Sequence, residues 1–227
     1  MIVKTRALCE AEAQRLVAVL RDAEGKDLLY AAVSAVCIGI GARIGEVLTL
    51  RNADVLTPEG EVREKIRRKV EKKRKTFYQE AVFCDPVLRS IVQRYAASER
   101  RLSRWMSADA LFFTARWDGP AITYRAAWGH NRALMRRAGI DPRGVAFHGQ
   151  RKTFLTAVFR QVHRSTGDMF TALRTVQRMA GHKSVDTTLA YLDIQEVDEG
   201  AAVGAALAGI TEQAWTDKTD KTDGGAR

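Results

Sequence analysis

The stretch VQRMAGHKSVDTTLAYL, residues 176–192, determines how the rest of the chain is interpreted. Gly181 can end one helix and free the backbone for a turn, because glycine readily adopts the left-handed conformation of helix C-termini. His182 follows directly, and Val185–Leu192 is predicted to form a short helix that carries Tyr191 near its end. The stretch therefore places an imidazole and a phenol nine positions apart.

Two further pairs of polar residues lie upstream. In FHGQR, His148 and Arg151 are three positions apart and share one face of a helix. In GARIGEVLTL, Arg43 and Glu46 have the same spacing. Two arginines, two histidines and a tyrosine, with no obvious set of metal ligands, suggest a phosphate that is held by cations and attacked by a phenol. The combination predicts a site for DNA strand transfer.

The chemistry of a phosphodiester explains this choice of residue types. Guanidinium groups can each make paired hydrogen bonds to the non-bridging oxygens and stabilise the charge of the transition state. A lysine can protonate the leaving 5′-oxygen, and a histidine can accept the tyrosine proton. A free tyrosine has a pKa of about 10, so nearby cations must favour its phenolate. The product would be a covalent phosphotyrosine, formed without ATP, cofactor or metal.

The bulk composition agrees with a nucleic acid partner. The 227-residue chain is 46% hydrophobic, which is typical of a globular protein with a sizeable core. A net charge of +10 and a pI near 9.8 favour a polyanion, with nucleic acid ahead of an anionic membrane surface. No apolar run approaches the roughly 18 residues of a membrane span, and no signal-peptide pattern is present. Cys9, Cys37 and Cys84 are interpreted as reduced thiols of a cytoplasmic protein.

Hydrophobic periodicity predicts a mostly helical chain. The helices are expected at residues 8–20, 28–40, 86–95, 123–138 and 169–179, with two more that begin at Glu46 and His148. Leu28–Ile40 is apolar nearly all round and is therefore predicted to be the buried central helix. Gly25 is expected to interrupt the helical structure after the first helix, and the helix from Glu46 is expected to stop before Asn52. Asp168 or Thr166 is expected to cap the helix at 169–179.

A basic stretch interrupts the helices. Residues 61–76 contain nine Lys or Arg and three Glu, and their apolar positions fit both a helical stripe and a strand with alternate residues inward: Val62, Ile66 and Val70. The aromatic-rich Phe77–Phe83 that follows favours a strand, and hence a β-hairpin with a basic tip around Glu71–Lys75. The alternative interpretation is a solvated charged surface.

The predicted organisation is one mostly α domain with a small antiparallel β-sheet, an α+β fold, over residues 1–200. Residues 201–212 are predicted to form a C-terminal apolar helix. Residues 213–227, which are of low complexity, are predicted to be a disordered tail.

Taken together, the motifs resemble the catalytic domain of the tyrosine recombinases, the phage-integrase family. The resemblance runs from about Leu8 to Ile194 and rests on Arg43 in GARIGEVLTLRNADV, the His148 and Arg151 pair in FHGQRKTF, His182 in VQRMAGHKSVDTT and Tyr191 in LAYL. Taken singly, the motifs could be a helical ion pair, a surface pair, a helix cap and a half-buried core tyrosine. Their joint occurrence in the family's order is highly specific.

The resemblance implies a role for each residue: Arg43 and Arg151 would clamp the scissile phosphate, His148 would act in acid/base or phosphate-binding work, His182 would donate to the phosphate, and Tyr191 would form a 3′-phosphotyrosyl bond. Glu46 matches an acidic position that supports the arginines. A hairpin lysine would serve as the general acid, with Lys73 or Lys72 as the best fits and Lys69 and Lys75 as the alternatives.

The implied function is that of a site-specific recombinase, which cleaves and rejoins double-stranded DNA as a tetramer on two sites through a Holliday junction. The helix at residues 201–212 would then dock into a neighbouring protomer; its alternative is to fold onto its own domain. The alternative functions are a monomeric type IB topoisomerase-like enzyme and a non-catalytic DNA-binding regulator of the same fold.

The sequence also departs from the family pattern. Such enzymes commonly carry a separate helical core-binding domain, whereas this chain begins almost at the catalytic domain. In that respect it resembles the minimal, inversion-type members; the alternative is that it has lost a clamp and binds DNA weakly alone, in which case an accessory DNA-binding protein would supply the clamp. The interval from Arg151 to His182 is several residues longer than the commonest pattern, and the extra residues are placed in a loop at Arg164–Thr171. Strand Phe77–Phe83 lacks the usual proline-leucine ending.

Overall fold

The structure, a computed structural model, describes residues 5–72, 75–98, 109–113 and 122–192, with residues 71, 72, 75 and 76 described by their backbone alone. These ranges belong to one unit, Met1–Asp193. The predicted helix at 201–212 and the predicted tail at 213–227 lie outside the described residues.

The described ranges contain mostly helices and one two-stranded sheet, as predicted. In chain order the elements are α1 (Glu10–Arg21), α2 (Gly25–Ile40), α3 (Ile44–Leu48), α4 (Asn52–Val55), β1 (Lys65–Lys72), β2 (Lys75–Val82), α5 (Pro86–Ala96), α6 (Tyr124–Arg137), α7 (Ala146–Thr166), α8 (Met169–Ala180) and α9 (Val185–Leu189). None of the helices in these ranges is long and apolar enough to cross a membrane.

Strands β1 and β2 form the predicted antiparallel hairpin. The register pairs Arg68 with Gln79, and Lys72 with Lys75, so the two strands are paired as far as the predicted tip. Successive residues of a strand face opposite sides. Accordingly Ile66, Arg68 and Val70 are buried, whereas Arg67 is exposed.

Helix α2 is the centre of the main hydrophobic core, as its composition predicts. Its buried residues include Leu29, Val33 and Val36. The helix contacts α1, α5, α6 and α7, so its apolar surface is covered on several sides. Cys37 is fully buried in this helix, and burial raises the pKa of its thiol.

In the described ranges, a second cluster of buried apolar residues is separate from the main core. Its members are Leu155, Phe159, Ala172, Val176, Ala180 and Leu192. This cluster joins α7 to α8, and Tyr191 packs against it. Helix α7 contributes to both clusters, because Phe147 near its start belongs to the main core. Arg151 therefore lies where α7 passes from one cluster to the other.

Several predicted boundaries were wrong by a few residues. Helix α2 begins at Gly25, and α7 begins at Ala146 rather than at His148. The helix predicted from Glu46 does stop before Asn52, but a further short helix, α4, begins at that residue.

The connection between α7 and α8 is also shorter than expected. Instead of the loop predicted at Arg164–Thr171, α7 continues to Thr166, so the extra residues lengthen the helix. Of the two predicted caps of α8, Asp168 is confirmed, since its carboxylate accepts from the backbone N–H groups of Phe170 and Thr171.

Replacing Gly41 by alanine is expected to destabilise the fold, because Gly41 has a φ of +58° and an added Cβ would collide with the Phe154 ring. The left-handed conformation alone costs an L-residue about 1–2 kcal/mol. The matched control is Gly45→Ala in α3, where φ is unstrained and nothing lies within 4 Å of an added Cβ. Chemical denaturation should show a lower free energy of unfolding for Gly41→Ala and an equal or higher one for Gly45→Ala. Equal stabilities of the two variants would contradict the prediction.

Candidate active site

The site is built around the C-terminal end of α8. The last four carbonyls of a helix have no partner within the helix, and they carry its partial negative charge. Side chains from elsewhere donate to three consecutive carbonyls here: Gln79 to Arg178 at 3.1 Å, Arg68 to Met179 at 2.7 Å and Arg151 to Ala180 at 2.9 Å. Gly181 then ends the helix with a φ of +65°, as predicted. The end of α8 thus holds two guanidinium groups side by side.

Arg151 is buried at the centre of these contacts, with 1% of its surface exposed. Its second terminal nitrogen donates to the carbonyl of Gly41, which lies in the connection between α2 and α3. The nitrogen that binds Ala180 also lies 3.3 Å from Nε2 of His182. Burial, and next the charge of Arg43, lower the pKa of Arg151 to about 10, so it remains a cation at neutral pH. Its Nε has no hydrogen-bond partner among the described residues.

Glu46 lies between two arginines. Arg43 is the N-cap residue of α3 and lies just before its first turn. The backbone N–H of Arg43 donates to Glu46 Oε2 at 3.1 Å. Its guanidinium donates to Glu46 Oε1 at 3.1 Å, and Arg68 donates to Oε2 at 2.8 Å. The Arg43 side chain remains 39% exposed, whereas that of Arg68 is 2% exposed. Arg43 is therefore open to a ligand, whereas both terminal nitrogens of Arg68 are already bonded to protein groups.

Arg68 is a site residue that the sequence analysis missed. The prediction concentrated on the hairpin lysines and treated the arginines of β1 as part of a charged run. The signal was nevertheless present, since Arg68 shares the inward strand face with Ile66 and Val70. A charged residue at a buried position requires partners. An arginine at an inward position of the strand therefore indicates a set of polar contacts. Burial lowers the pKa of Arg68.

His182 is positioned by the turn that ends α8. Its backbone N–H donates to Gln177 at 3.0 Å, and its Nδ1 lies 3.2 Å from Oγ1 of the buried Thr188. This contact joins the turn to α9 and fixes the imidazole ring. The ring centroid lies 4.8 Å from that of Tyr191.

Tyr191 follows α9 instead of lying within it. The helix ends at Leu189, and the backbone N–H of Tyr191 donates to Thr188 at 3.0 Å. The Tyr191 hydroxyl lies 2.7 Å from Nε2 of His148, and the Arg151 guanidinium carbon is 5.4 Å from the centroid of the phenol ring. A phenol, an imidazole and a guanidinium are therefore adjacent.

His148 is held in its neutral form. Burial, followed by the positive charges of Arg151, Arg43 and Lys152, lowers the pKa of the imidazole below its ordinary value. A neutral imidazole can accept the proton of a phenol at hydrogen-bond distance. Electrostatics and geometry therefore both suit His148 to activate Tyr191.

The structure thus brings together the predicted residues Arg43, Glu46, His148, Arg151, His182 and Tyr191 through the contacts above. Of the predicted hairpin lysines, Lys73 lies outside the described residues, and so do the side chains of Lys72 and Lys75. Lys69 is partly buried, one residue past Arg68 and so on the other face of the strand. In the described ranges, no group of three or more His, Cys, Asp or Glu side chains is arranged to hold a metal ion.

The arrangement can bind an anion beside a phenol. Arg43 and Arg151 supply positive charge at one side of Tyr191, and His182 supplies a ring nitrogen close to Arg151. An open groove of about 800 Å³ reaches His182, and its lining includes the exposed aromatic residues Phe77, Tyr78 and Phe170 and the arginines Arg174 and Arg178. The groove therefore presents cations and aromatic rings next to His182.

Solved structures with the same fold are recombinases and integrases. The XerA recombinase structure is 25% identical, with a TM-score of 0.63 over 93% of this chain and 64% of that one. XerH site-specific recombinase, bound to its difH substrate, is 19% identical, with a TM-score of 0.62 over 88% of this chain and 52% of that one. A lambda integrase dimer bound to a COC′ core site is 12% identical, with a TM-score of 0.57 over 87% of this chain and 63% of that one.

These structures confirm the predicted fold class, a mostly helical catalytic domain with a small antiparallel sheet. The chain spans less than two thirds of the length of each of these three structures. No curated protein sequence matches it significantly. The model of the phage integrase family, however, matches residues 6–197. That match covers most of the chain, and the protein therefore belongs to the phage integrase family, the tyrosine recombinases.

Proposed function

We propose that the protein is a site-specific DNA recombinase that cleaves and rejoins DNA strands through a covalent 3′-phosphotyrosyl bond at Tyr191 and a Holliday junction. The observation that carries this proposal is the 2.7 Å contact between the Tyr191 hydroxyl and His148, beside the buried Arg151. The net charge of +10 supports a DNA partner. So do the structures of XerH, solved with its difH substrate, and of lambda integrase, solved with a COC′ core site.

In the proposed cleavage step, the Tyr191 hydroxyl donates its proton to neutral His148 while its oxygen attacks the scissile phosphorus. A bond forms between phosphorus and the tyrosine oxygen, and the bond to the 5′-oxygen of the next nucleotide breaks. Arg43, Arg151 and His182 stabilise the charge on the non-bridging oxygens. Lys72 or Lys73 supplies a proton to the departing 5′-oxygen. Rejoining is the reverse reaction with a 5′-hydroxyl from another strand.

Covalent trapping tests the proposal directly. Incubation with nicked fragments of the source DNA in EDTA, followed by denaturation, should leave a DNA fragment linked to Tyr191. Tyr191→Phe should abolish the link and leave DNA affinity nearly unchanged, because only the nucleophilic oxygen is removed. Tyr124→Phe is the control, since Tyr124 is exposed on α6. An adduct that survives Tyr191→Phe, or wild-type protein that binds DNA without forming one, would contradict the assigned reaction.

Arg151→Lys should lower the cleavage rate on the order of 10²–10³-fold, the usual loss when one transition-state donor is removed. A lysine retains a point charge but cannot contact Gly41, Ala180 and a phosphate oxygen at once. The exposed Arg164→Lys in the last turn of α7 is the control. Single-turnover adduct formation at saturating DNA gives the rate, and a near-normal rate for Arg151→Lys would argue against its role.

The cleavage rate should rise with pH through the pKa of His148, because only the neutral imidazole can accept the phenol proton. Since burial and neighbouring cations lower this pKa, the acidic limb should lie below the ordinary histidine value of about 6.5. Adduct formation at subsaturating DNA reports the free enzyme. The limb should disappear in His148→Gln, which should be slow at every pH. A wild-type limb above pH 6.5 would contradict the assignment.

We further propose that the enzyme acts as a tetramer on two DNA sites and that residues 201–212 of one protomer contact its neighbour. Strand exchange between two differently labelled duplexes distinguishes this assembly from a monomer that only relaxes supercoiled DNA. Adding a DNA-binding protein from the same source to this assay tests the proposed requirement for an accessory factor. The reduced thiols of the sequence favour the cytoplasm as the compartment.

A further inference from the structure

Arg68 is buried to an extent that is unusual for arginine, with 1% of its surface exposed. A buried cation persists only when it is paired and hydrogen-bonded. Its two terminal nitrogens make the following contacts: Glu46 at 2.8 Å from one, and Gln79 at 2.9 Å and the Met179 carbonyl at 2.7 Å from the other. Arg68 thus joins α3, β2 and the end of α8 in one contact set.

The first connection from Arg68 leads to Arg43 through a shared carboxylate. Glu46 binds Arg68 with Oε2 and the Arg43 guanidinium with Oε1. With one negative charge divided between two arginines, Arg43 retains positive charge at its exposed side. If Arg68 were absent, the whole carboxylate would be available to Arg43 and would draw it away from a ligand.

The second connection leads to Arg151 through the backbone of α8. Arg68 binds the carbonyl of Met179 and Arg151 binds that of Ala180, the next residue. The two guanidinium groups are therefore set at a fixed spacing by one peptide unit. Movement of this helix end would displace Arg151 and, with it, the adjacent His182.

We propose that Arg68 is a positioning residue of the phosphate site: it sets the charge and position of Arg43 through Glu46, and the position of Arg151 through the end of α8, without contacting DNA itself. The proposal rests on the proposed function for the identity of the ligand. It predicts that Arg68 affects the cleavage step more than DNA affinity, because both of its terminal nitrogens are bonded to protein groups, whereas Arg151 lies against Tyr191 and His182.

The test compares Arg68→Met and Arg68→Lys with Arg67→Met. Arg67 is the matched control, because it is the next residue of β1, is exposed and stacks over the Tyr78 ring at 4.0 Å. Arg68→Met should lower the single-turnover rate of adduct formation at saturating DNA on the order of 10²-fold, as expected when catalytic groups are misplaced by about 1 Å. Arg68→Lys should fall between Arg68→Met and wild type, because an ammonium can reach Glu46 but cannot bridge all three partners. The Kd for DNA should change little in either variant.

A double-mutant cycle with Glu46→Gln separates positioning from general stability. If Arg68 acts through Glu46, the rate losses of Arg68→Lys and Glu46→Gln should be non-additive. Rates are expressed per folded molecule, as determined by thermal unfolding, and Arg68→Lys carries the test if Arg68→Met does not fold. A wild-type rate per folded molecule, additive losses, or a loss confined to DNA affinity would each overturn the proposal.

A second readout does not depend on catalysis. The side-chain N–H signals of Arg43 and Arg151 in nitrogen-15 NMR spectra of the free protein should shift in Arg68→Lys and stay in place in Arg67→Met. If the wild-type protein forms no adduct, the proposed function fails while these spectra still decide the role of Arg68. Unchanged Arg43 and Arg151 signals would overturn it.

Discussion

The site depends on the unpaired carbonyls in the last turn of α8. These groups must find donors, and here the backbone N–H groups of Gly181 and His182 serve Arg178 and Gln177, while the side chains of Gln79, Arg68 and Arg151 serve Arg178, Met179 and Ala180. The requirement is mutual, because the two buried guanidinium groups equally need acceptors. The backbone carbonyls of Gly41 and Ala180 satisfy Arg151 without neutralising it, and so its charge remains available to a ligand, whereas Arg68 is also paired with Glu46. Replacing the two carbonyls by carboxylates would hold Arg151 equally well and cancel the charge that an anion needs.

The site accordingly carries more positive than negative charge, which disfavours the charged form of its arginines. Arg43, Arg68 and Arg151 are grouped around Glu46, and both the burial and the mutual repulsion of the cations lower the pKa of Arg151. Close packing of like charges costs stability, and natural proteins commonly retain such strain where function requires it. A bound phosphate diester would supply the missing negative charge. Burial, together with the same cations, also lowers the pKa of His148, so the group that favours an anion favours the neutral imidazole as well.

The sequence was sufficient to predict the fold class and to nominate the residues that meet around Tyr191, because those residues belong to motifs with a specific order and spacing. It was less informative wherever tertiary contacts decide the outcome. Arg68 lies between Ile66 and Val70 on the inward face of a strand, but the same apolar positions also fit a helix, and only the register of β1 and β2 decides between the two. The end of α9 was misjudged because Tyr191 retains a helix-like spacing from Thr188 while its backbone has entered a turn.

The position of α7 across both hydrophobic clusters has a mechanical consequence. The first part of the helix is anchored in the main core by Phe147, and its later part is anchored beside α8 by Leu155 and Phe159. The arginine lies at the seam, and the tyrosine rests on the second cluster. A shift of the second cluster against the main core would therefore move Tyr191 relative to Arg43, which follows Ala42 of the main core. The distance between the phenol and this guanidinium thus depends on how α7 is packed along its whole length.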